Sequence, residues 1–164
     1  MSLDTHQSVY REQLLEHLLI GELLKLSWLR HGATLEVSKA SLDRAGHDIV
    51  LEANGVMRHV QLKSSAVDAS AASQKIHVGL GAKPSGCVIW ICFDSATLQL
   101  GPFLFFGGAP GEPLPPLGDF RVARHTKANA LGVKAERPNI RVIPKGRFRR
   151  VESVEALHRA LFGI

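Results

Sequence analysis

Two alternating strands around Asn54-Gly55, in the segment GHDIVLEANGVMRHVQLKSS, constrain the fold of this chain more than any other feature. Asn-Gly favours a two-residue hairpin turn, because both residues tolerate the positive φ that a type I′ turn requires. With these residues in the turn, counting outward predicts that Val50 faces His59. The segment is therefore predicted to be a hairpin with a fixed register.

This register gathers polar side chains on one face of the hairpin. Asp48 is predicted to lie opposite Gln61, and the strand period of two places Lys63 on the same face as Gln61. The other face is apolar except for Arg58, and it consists of Ile49, Leu51, Ala53, Val60 and Leu62. One face thus suits packing, and the face with Asp48, Gln61 and Lys63 suits chemistry.

Apolar periodicity assigns the elements around the hairpin. Leucines recur at helical spacing over residues 10–31, ATLEVSKASL is typical of a short strand, and residues 66–83, rich in Ala and Ser, are predicted to form a helix. The run CVIWICFD is apolar throughout, as in a strand buried on both faces. A strand, a helix and a buried strand form a crossover unit, so the sequence predicts a mixed α/β fold in which VQLK and CVIWIC are parallel.

Proline and glycine assign the second half of the chain. The run LQLGPFLFF is predicted to be an edge strand, because proline is tolerated there and not in a central strand. Residues 107–118 are predicted to be a Pro/Gly loop, and residues 119–164 a basic extension with a strand, IRVIP, and a closing helix, SVEALHRALFG. At 164 residues the chain is expected to be a single domain, residues 1–164, with its core in residues 10–106.

Composition excludes several classes of protein. The charged fraction of 21% is ordinary for a globular chain and argues against disorder. The longest apolar runs are too short or too interrupted to cross a bilayer, and the first residues lack the order of a signal peptide. Cys87 and Cys92, five positions apart on one predicted strand, point to opposite faces and are expected to be buried free thiols. These features predict a cytoplasmic protein.

The distribution of charge indicates a polyanionic partner. The chain carries a net charge of +5, but residues 121–150 hold ten Lys or Arg against one acid, Glu136, so that segment carries +9 and the remainder −4. Such a segment is typical of a nucleic-acid-binding face, with a solvated basic surface as the alternative. The candidate contacts are Arg121, Arg124, Lys127, Arg141, Lys145 and Arg147.

An acidic residue interrupts the apolar stripe of the first predicted helix. At about 100° per residue, Glu22 falls at the centre of a stripe formed by Leu15, Leu18, Leu19, Leu26 and Leu29. Burying a carboxylate without a partner is costly, so Glu22 is expected to need compensation. Glu16, toward the edge of the stripe, is the alternative acid. A surface pair of Glu22 with Lys25 or Arg11 is the competing interpretation.

A divalent metal would compensate such a carboxylate. Asp48, Glu22 and Gln61 offer the hard oxygen ligands that Mg²⁺ prefers, and Mn²⁺ is the alternative ion. Lys63 beside them is placed to orient or deprotonate a water, or to stabilise charge on a phosphate. A single Asp or Lys at a strand end is more often a solvated terminus, and only the convergence of several polar residues favours a site.

The pattern resembles the PD-(D/E)XK, or restriction-endonuclease-like, nuclease superfamily, most nearly its Holliday-junction-resolvase-like and Mrr-like branches. The resemblance rests on IGELLKLSWLRHG, DRAGHDIVLEANG and HVQLKSS, and covers about residues 14–94. It implies a core of a helix, a three-stranded meander, a helix and a buried parallel strand. Its helical acid falls on Glu22, its metal-binding aspartate on Asp48, and its (D/E)XK triplet on Gln61-Leu62-Lys63. Two positions depart from the motif: His47 replaces a proline, and Gln61 replaces the usual carboxylate.

The resemblance implies a metal-dependent DNA endonuclease that hydrolyses phosphodiester bonds with Glu22, Asp48, Gln61 and Lys63, and that needs no small-molecule cofactor. Because Gln61 is neutral, its site should bind metal more weakly, so a catalytically inactive nuclease-fold module that binds nucleic acid is the alternative. A third hypothesis is a structural or partner-binding domain whose basic segment binds an acidic protein. Many relatives dimerise to cut two strands, so a homodimer is left open, as is the form of the nucleic acid.

Other chemistries find little support in the sequence. The eight histidines are scattered without zinc-type pairing, and His59 and His47, near Asp48, are the two most worth testing. The run HVGLGAKPSG lacks both the Walker spacing and the dinucleotide fingerprint, and it is predicted to be a helix C-terminus.

Overall fold

The computed structural model describes residues 3–41 and 46–164. Its first half contains α1 (Leu3–Arg30), β1 (Glu36–Lys39), β2 (Ile49–Ala53), β3 (Val56–Ala66), β4 (Ser73–His77) and β5 (Cys87–Phe93). Its second half contains β6 (Leu100–Gly107), β7 (Arg121–Arg124), β8 (Glu136–Pro144), β9 (Arg149–Val151) and α2 (Val154–Phe162). Short 3₁₀ turns follow β4 and β8, at Val78–Ala82 and Lys145–Arg147.

The strands form two sheets. The larger is a mixed sheet of six strands in the order β1-β2-β3-β5-β6-β9, in which β3 and β5 are parallel and the other neighbours are antiparallel. The smaller sheet has the order β4-β8-β7 and is antiparallel. The mixed α/β class and the parallel pairing of β3 with β5 are therefore confirmed.

An apolar layer covers each face of the larger sheet. On one face, α1 and α2 pack against the sheet through residues such as Leu19, Leu23 and Leu161. On the other face, the smaller sheet packs through Ile76 and Ile143, and it meets alternate residues of the same central strands. Strand β5 is buried along its whole length, because it contributes to both layers. Cys87 and Cys92 are buried free thiols, as predicted, and burial raises the pKa of Cys87 to about 12.

The predicted hairpin is confirmed. Asn54 and Gly55 have φ values of 51° and 71°, and Val50 pairs with His59 as counted from the turn. The ladder ends at the pair Ile49–Val60, so the predicted pairing of Asp48 with Gln61 is not made as a ladder pair. Instead the Asp48 backbone N–H donates to the Val60 carbonyl at 2.8 Å.

The predicted helix over residues 66–83 is wrong. The segment continues β3 into a loop and then forms β4 and the 3₁₀ turn Val78–Ala82. Its buried apolar side chains are Ile76 and Leu80, which is too few for the stripe that a helix needs to pack. The His77 ring nitrogen Nδ1 accepts the Gly79 N–H at 2.9 Å and starts the turn. The run HVGLGAKPSG is consequently a strand end and a 3₁₀ turn, and not a helix C-terminus.

The prediction that β6 is an edge strand is also wrong, because β9 pairs with its outer side. Pro102 is nevertheless accommodated. β9 pairs with β6 only from Phe103 to Phe105, so the ladder on that side needs no N–H from position 102.

The closing helix is confirmed as α2, and it is tied to the hairpin. Ser153 caps its start by accepting the Ala156 N–H, and Gly163 ends it with φ at 81°. The fully buried Arg58 donates hydrogen bonds to the carbonyls of Leu161 at 2.9 Å and Ala160 at 3.1 Å, which are left unpaired at a helix C-terminus. Arg58 thus interrupts the apolar face of the hairpin because it binds the end of α2. Burial lowers the pKa of its guanidinium.

No helix among residues 3–41 and 46–164 is long and apolar enough to cross a membrane.

Candidate functional site

Strand β3 runs past the start of β2, and this overhang forms one wall of the candidate site. In the described part of the chain, β3 pairs only with β5 from Gln61 onward. A cavity of about 570 Å³, here called the candidate pocket, lies at this point, and α1, β3 and β4 all contribute to its wall. It is lined by Glu12, Gln13, Leu15, Glu16, Lys39, Ala40, His47, Asp48, Gln61, Leu62, Lys63, Ser64, Gln74 and Ile91.

Asp48 holds its place in the pocket through the backbone of β3. It lies one residue before β2, and its carboxylate oxygen Oδ2 accepts the Leu62 N–H at 2.6 Å. A side-chain oxygen thus takes the position that a strand carbonyl would occupy if β2 continued. The half-buried carboxylate is therefore anchored to the same strand that carries Gln61 and Lys63.

Gln61 and Lys63 share one face of β3 and both line the pocket, as predicted. Their neighbours on β5 are Val88 and Trp90. The Gln61 side-chain oxygen Oε1 is buried and has no hydrogen-bond partner among the residues that the structure describes. An acceptor left in this state is costly, so an additional donor or a cation at this position would stabilise it.

Glu22 does not line the pocket, and its predicted burial is wrong. The side chain is exposed. The buried stripe of α1 is instead formed by Leu15, Leu19, Leu23 and Leu26, while Leu29 is 66% exposed. This stripe is rotated by roughly 45° from the predicted one, which moves Glu22 off the packed face.

The rotation brings Glu16 into the pocket, with Glu12 one turn before it. The Glu16 side chain is only 13% exposed and pairs with Lys39 of β1 at 3.1 Å. Glu16 was the alternative acid in the sequence. Lys39, Gln74 and Ser64 were not foreseen as pocket residues. The position of Lys39 at the end of the short strand EVSK could have indicated a pocket residue. No sequence pattern marks Gln74.

His47 and His59 lie together beside Asp48. Their rings meet edge to face with centroids 5.1 Å apart, and His47 lines the pocket. The His59 ring nitrogen Nδ1 hydrogen-bonds the Pro84 carbonyl at 2.7 Å, so this ring is held by a loop. The backbone just before His47 also passes close to His77. Gly46 permits this approach, because a Cβ at that position would lie 2.6 Å from the Cβ of His77.

A metal at this site would depend on Gln61. Within the described ranges, no three His, Cys, Asp or Glu side chains are grouped so that they could hold a metal ion. Asp48 and Glu16 are carboxylates, and Gln61 Oε1 adds a buried oxygen without a partner in those ranges. These oxygen donors fit Mg²⁺ or Mn²⁺ provided that the amide serves as a ligand and Glu16 leaves Lys39.

The predicted nucleic-acid contacts do not form one cluster. The ammonium of Lys145 lies 5.6 Å from the ring centroid of Trp90, the β5 neighbour of Lys63. Arg147 lies 5.6 Å from the Phe120 ring centroid. Arg141 is turned onto its own strand, where it donates to the Pro138 carbonyl.

The remaining three predicted contacts lie farther along the smaller sheet. Arg121 and Arg124 are exposed on β7, which β8 separates from β4, and the exposed Lys127 is in the following loop. The basic segment therefore spreads from Lys145, directly after β8, to β7, the outer strand of the smaller sheet.

Searches among protein-family models, curated proteins and solved structures found no match to this chain.

Proposed function

We propose that this protein is a metal-dependent DNA endonuclease that hydrolyses phosphodiester bonds by a PD-(D/E)XK-type mechanism. The observation that carries the proposal is the grouping of Asp48, Gln61 and Lys63 in one cavity with a helical acid, Glu16. Carboxylate and amide oxygens beside a lysine match the demands of phosphodiester hydrolysis, which needs a metal, a positioned water and a cation near the phosphate.

Each residue has a role in this proposal. Asp48 and Gln61 would hold Mg²⁺ or Mn²⁺, and Glu16 would join them in place of Glu22. Such an ion, when bound, would make water more acidic and would neutralise charge on the phosphate. Lys63 orients the attacking water and stabilises the negative charge that develops on the phosphate oxygens. The hydrogen bond from the Leu62 N–H to Asp48 keeps the carboxylate in position.

We also propose that α1, β1, β2, β3 and β5 correspond to the restriction-endonuclease-like core. A helix followed by a three-stranded meander and a buried parallel strand agrees with the order of that core. The chain departs from it between β3 and β5, where β4 and a 3₁₀ turn replace the helix.

DNA would approach the candidate pocket past Lys145. The backbone phosphates would then run toward Arg147, Arg121, Arg124 and Lys127, with Arg141 as a structural support of β8. Phosphate contacts of this kind give affinity without sequence preference, and binding should weaken steeply with salt. A homodimer, which would place two such pockets on one duplex, stays a prediction.

One observation favours a second function, a nucleic-acid-binding module without catalysis. Glu16 already pairs with Lys39, and the described ranges contain no group of three metal-binding side chains. If Glu16 stays on Lys39, Asp48 and the neutral Gln61 would be left to hold the metal, which is a weak donor set.

Cleavage of supercoiled plasmid at low salt, with Mg²⁺ and then with Mn²⁺, distinguishes the two functions. The test variants are Asp48→Asn, which keeps an acceptor for the Leu62 N–H, and Lys63→Met, which keeps the aliphatic length of the side chain. Lys25→Ala, at an exposed position of α1, is the control. A nuclease should cut as the unaltered protein and as Lys25→Ala, and should lose cutting in both test variants.

If no protein cuts but all retard DNA in a gel, the binding module is supported and the nuclease proposal fails. Cutting that persists in both test variants would mean that the candidate pocket is not the catalytic site.

A further inference from the structure

A second cavity, here called the arginine cavity, lies at the β6–β9 end of the larger sheet, whereas the candidate pocket lies beside β2 and β3. It has a volume of about 490 Å³ and forms where β6 runs past the start of β9, beside the C-terminal part of α2. Its lining includes Arg147, Arg149, Arg159, Phe106, Pro110 and Pro115, and it shares no residue with the candidate pocket. The residues of β6 that line it pair with one edge of β5, and the residues of β3 that line the candidate pocket pair with the other edge.

The charged side chains that line this cavity are all positive. Three arginines line it and no acidic residue does. In the described ranges, no carboxylate lies within 4 Å of Arg147, Arg149 or Arg159, since the ion pairs there join Lys39 to Glu16 and Arg150 to Glu152. Guanidinium groups are well suited to carboxylate and phosphate, so a cavity with three of them and no carboxylate nearby in those ranges is suited to an anionic ligand.

Aromatic rings hold two of these arginines in place. The guanidinium carbon of Arg149 lies 5.6 Å from the ring centroid of Phe105, and that of Arg147 lies 5.6 Å from the ring centroid of Phe120. A guanidinium that rests on a ring face keeps its N–H donors in the plane, directed away from the ring. The donors of the cavity are thus partly ordered before any ligand binds, which lowers the entropic cost of binding.

A fourth arginine lies behind the wall of the cavity. Arg58 is fully buried, and two of the carbonyls that it binds belong to lining residues, Gly108 and Ala160. It forms no ion pair with a carboxylate in the described ranges, and its Nη1 has no hydrogen-bond partner there. The carbonyls at the end of α2 offset part of this buried charge, and an anion in the adjacent cavity would offset more.

The shape and lining of the cavity narrow the class of anion. Arginine binds phosphate oxygens through two parallel N–H donors. The apolar surfaces of Pro110 and Pro115 suit the organic part of a ligand and would contribute nothing to binding a small inorganic ion. A volume of about 490 Å³ is in the range of sites for small organic molecules. We propose that the arginine cavity binds a nucleotide phosphate, with the phosphate on the arginines and the base against the surfaces of Pro110 and Pro115.

The phosphate ester can belong to a free nucleotide or to the end of a nucleic acid strand. Isothermal titration calorimetry of the full chain should therefore use two kinds of probe. The first is the set of nucleoside 5′-monophosphates, with the unphosphorylated nucleosides as controls. The second is a short single-stranded oligonucleotide with and without a 5′-phosphate.

The test variants are Arg149→Ala and Arg159→Ala, both at exposed positions and neither among the proposed DNA contacts. Each should weaken binding of the phosphorylated probe at least tenfold, because each removes a charge-assisted contact. Lys25→Ala should bind as the unaltered protein does. Asp48→Asn should also bind normally, so loss of cleavage and loss of nucleotide binding are separable results.

The pattern of binding decides the source of the phosphate. Binding of a monophosphate that both variants weaken supports a free nucleotide as ligand, and binding of the 5′-phosphorylated oligonucleotide alone supports a strand end. If neither probe binds, or if both arginine variants bind as tightly as the unaltered protein, the proposal is overturned.

Discussion

The Asp48 carboxylate and the Leu62 backbone N–H are joined by a hydrogen bond of 2.6 Å. This contact replaces a backbone hydrogen bond that β2 would make with β3 if β2 continued, and it links the position of the carboxylate to the register of β3. The structural and the proposed catalytic roles of Asp48 can therefore be separated by choosing the substituent.

Asp48→Asn and Asp48→Ala should differ in stability and agree in activity. Alanine leaves the Leu62 N–H without its acceptor and should lower the free energy of unfolding by about 1–3 kcal/mol, whereas asparagine keeps an acceptor and should cost less. Both should abolish cleavage, because both remove the negative charge. Urea denaturation measures the first effect and plasmid cleavage the second. Equal stability of the two variants would show that the hydrogen bond contributes little.

Glu16 and Glu22 form a matched pair, since both are glutamates of α1 and only Glu16 lines the candidate pocket. Glu16→Gln should raise the Mg²⁺ concentration needed for half-maximal cleavage and reduce the maximal rate. Glu22→Gln should leave both unchanged, because its side chain is exposed and outside the pocket. The reverse result would restore the assignment predicted from the sequence.

Gln61→Glu should strengthen metal binding. A carboxylate in place of the buried amide oxygen adds a charge at a position where Oε1 has no partner in the described ranges. The Mg²⁺ concentration for half-maximal cleavage should fall by roughly tenfold, the effect of one charge-assisted contact. Without metal the variant should be less stable than the unaltered protein, since the buried carboxylate is then uncompensated. Thermal unfolding with and without Mg²⁺ checks this, and an unchanged response to Mg²⁺ would place the metal elsewhere.

His158 should make stability depend on pH. Burial lowers the pKa of His158, and the neighbouring His31, stacked with ring centroids 4.2 Å apart, adds to the effect. The unfolded chain, with a histidine pKa near roughly 6.5, then binds the proton more readily than the folded chain. The contribution of neutral His158 to the free energy of unfolding is therefore complete above that pH, and it is lost as the pH falls through and below it.

Chemical denaturation between about pH 8 and pH 5 measures this dependence. The variant His158→Phe keeps the ring packing against Phe162 but cannot titrate, so its stability should fall less steeply over this range. Replacing His158 also removes its hydrogen bond to the Ile164 carbonyl, which lowers stability at every pH. The measurement therefore compares how steeply the free energy of unfolding changes with pH in the two proteins, and not its absolute value. Identical slopes would assign the dependence to other groups.

Local signals predicted the parts of the fold that local chemistry determines. The positive φ tolerance of Asn54 and Gly55 fixes the register of β2 and β3, and that register places Gln61 and Lys63 on one face. The cap residues Ser153 and Gly163 likewise bound α2.

Other features depend on tertiary packing that no local pattern encodes. Leucines surround much of α1, so several faces qualified as the buried one, and the sheet selects the face that includes Leu23 and brings Glu16 inward. The polar and Ala-rich stretch after β3 has no apolar stripe by which the helix prediction could be checked. Its weak helical preference is overridden by the pairing of β4 with β8. Lys39 and Glu16 meet across 23 positions of sequence.

The contacts of Arg58 and Asn54 with α2 bear on the order in which the chain can fold as it is synthesised. Arg58 reaches Leu161 across 103 positions, and Asn54 donates to the Phe162 carbonyl across 108. Until α2 emerges from the ribosome, the hairpin carries a cation that lacks two of its acceptors and an apolar face that lacks its cover. A nascent chain that ends before α2 should therefore remain a target for chaperones, and the larger sheet should become resistant to proteases only when the last helix has docked.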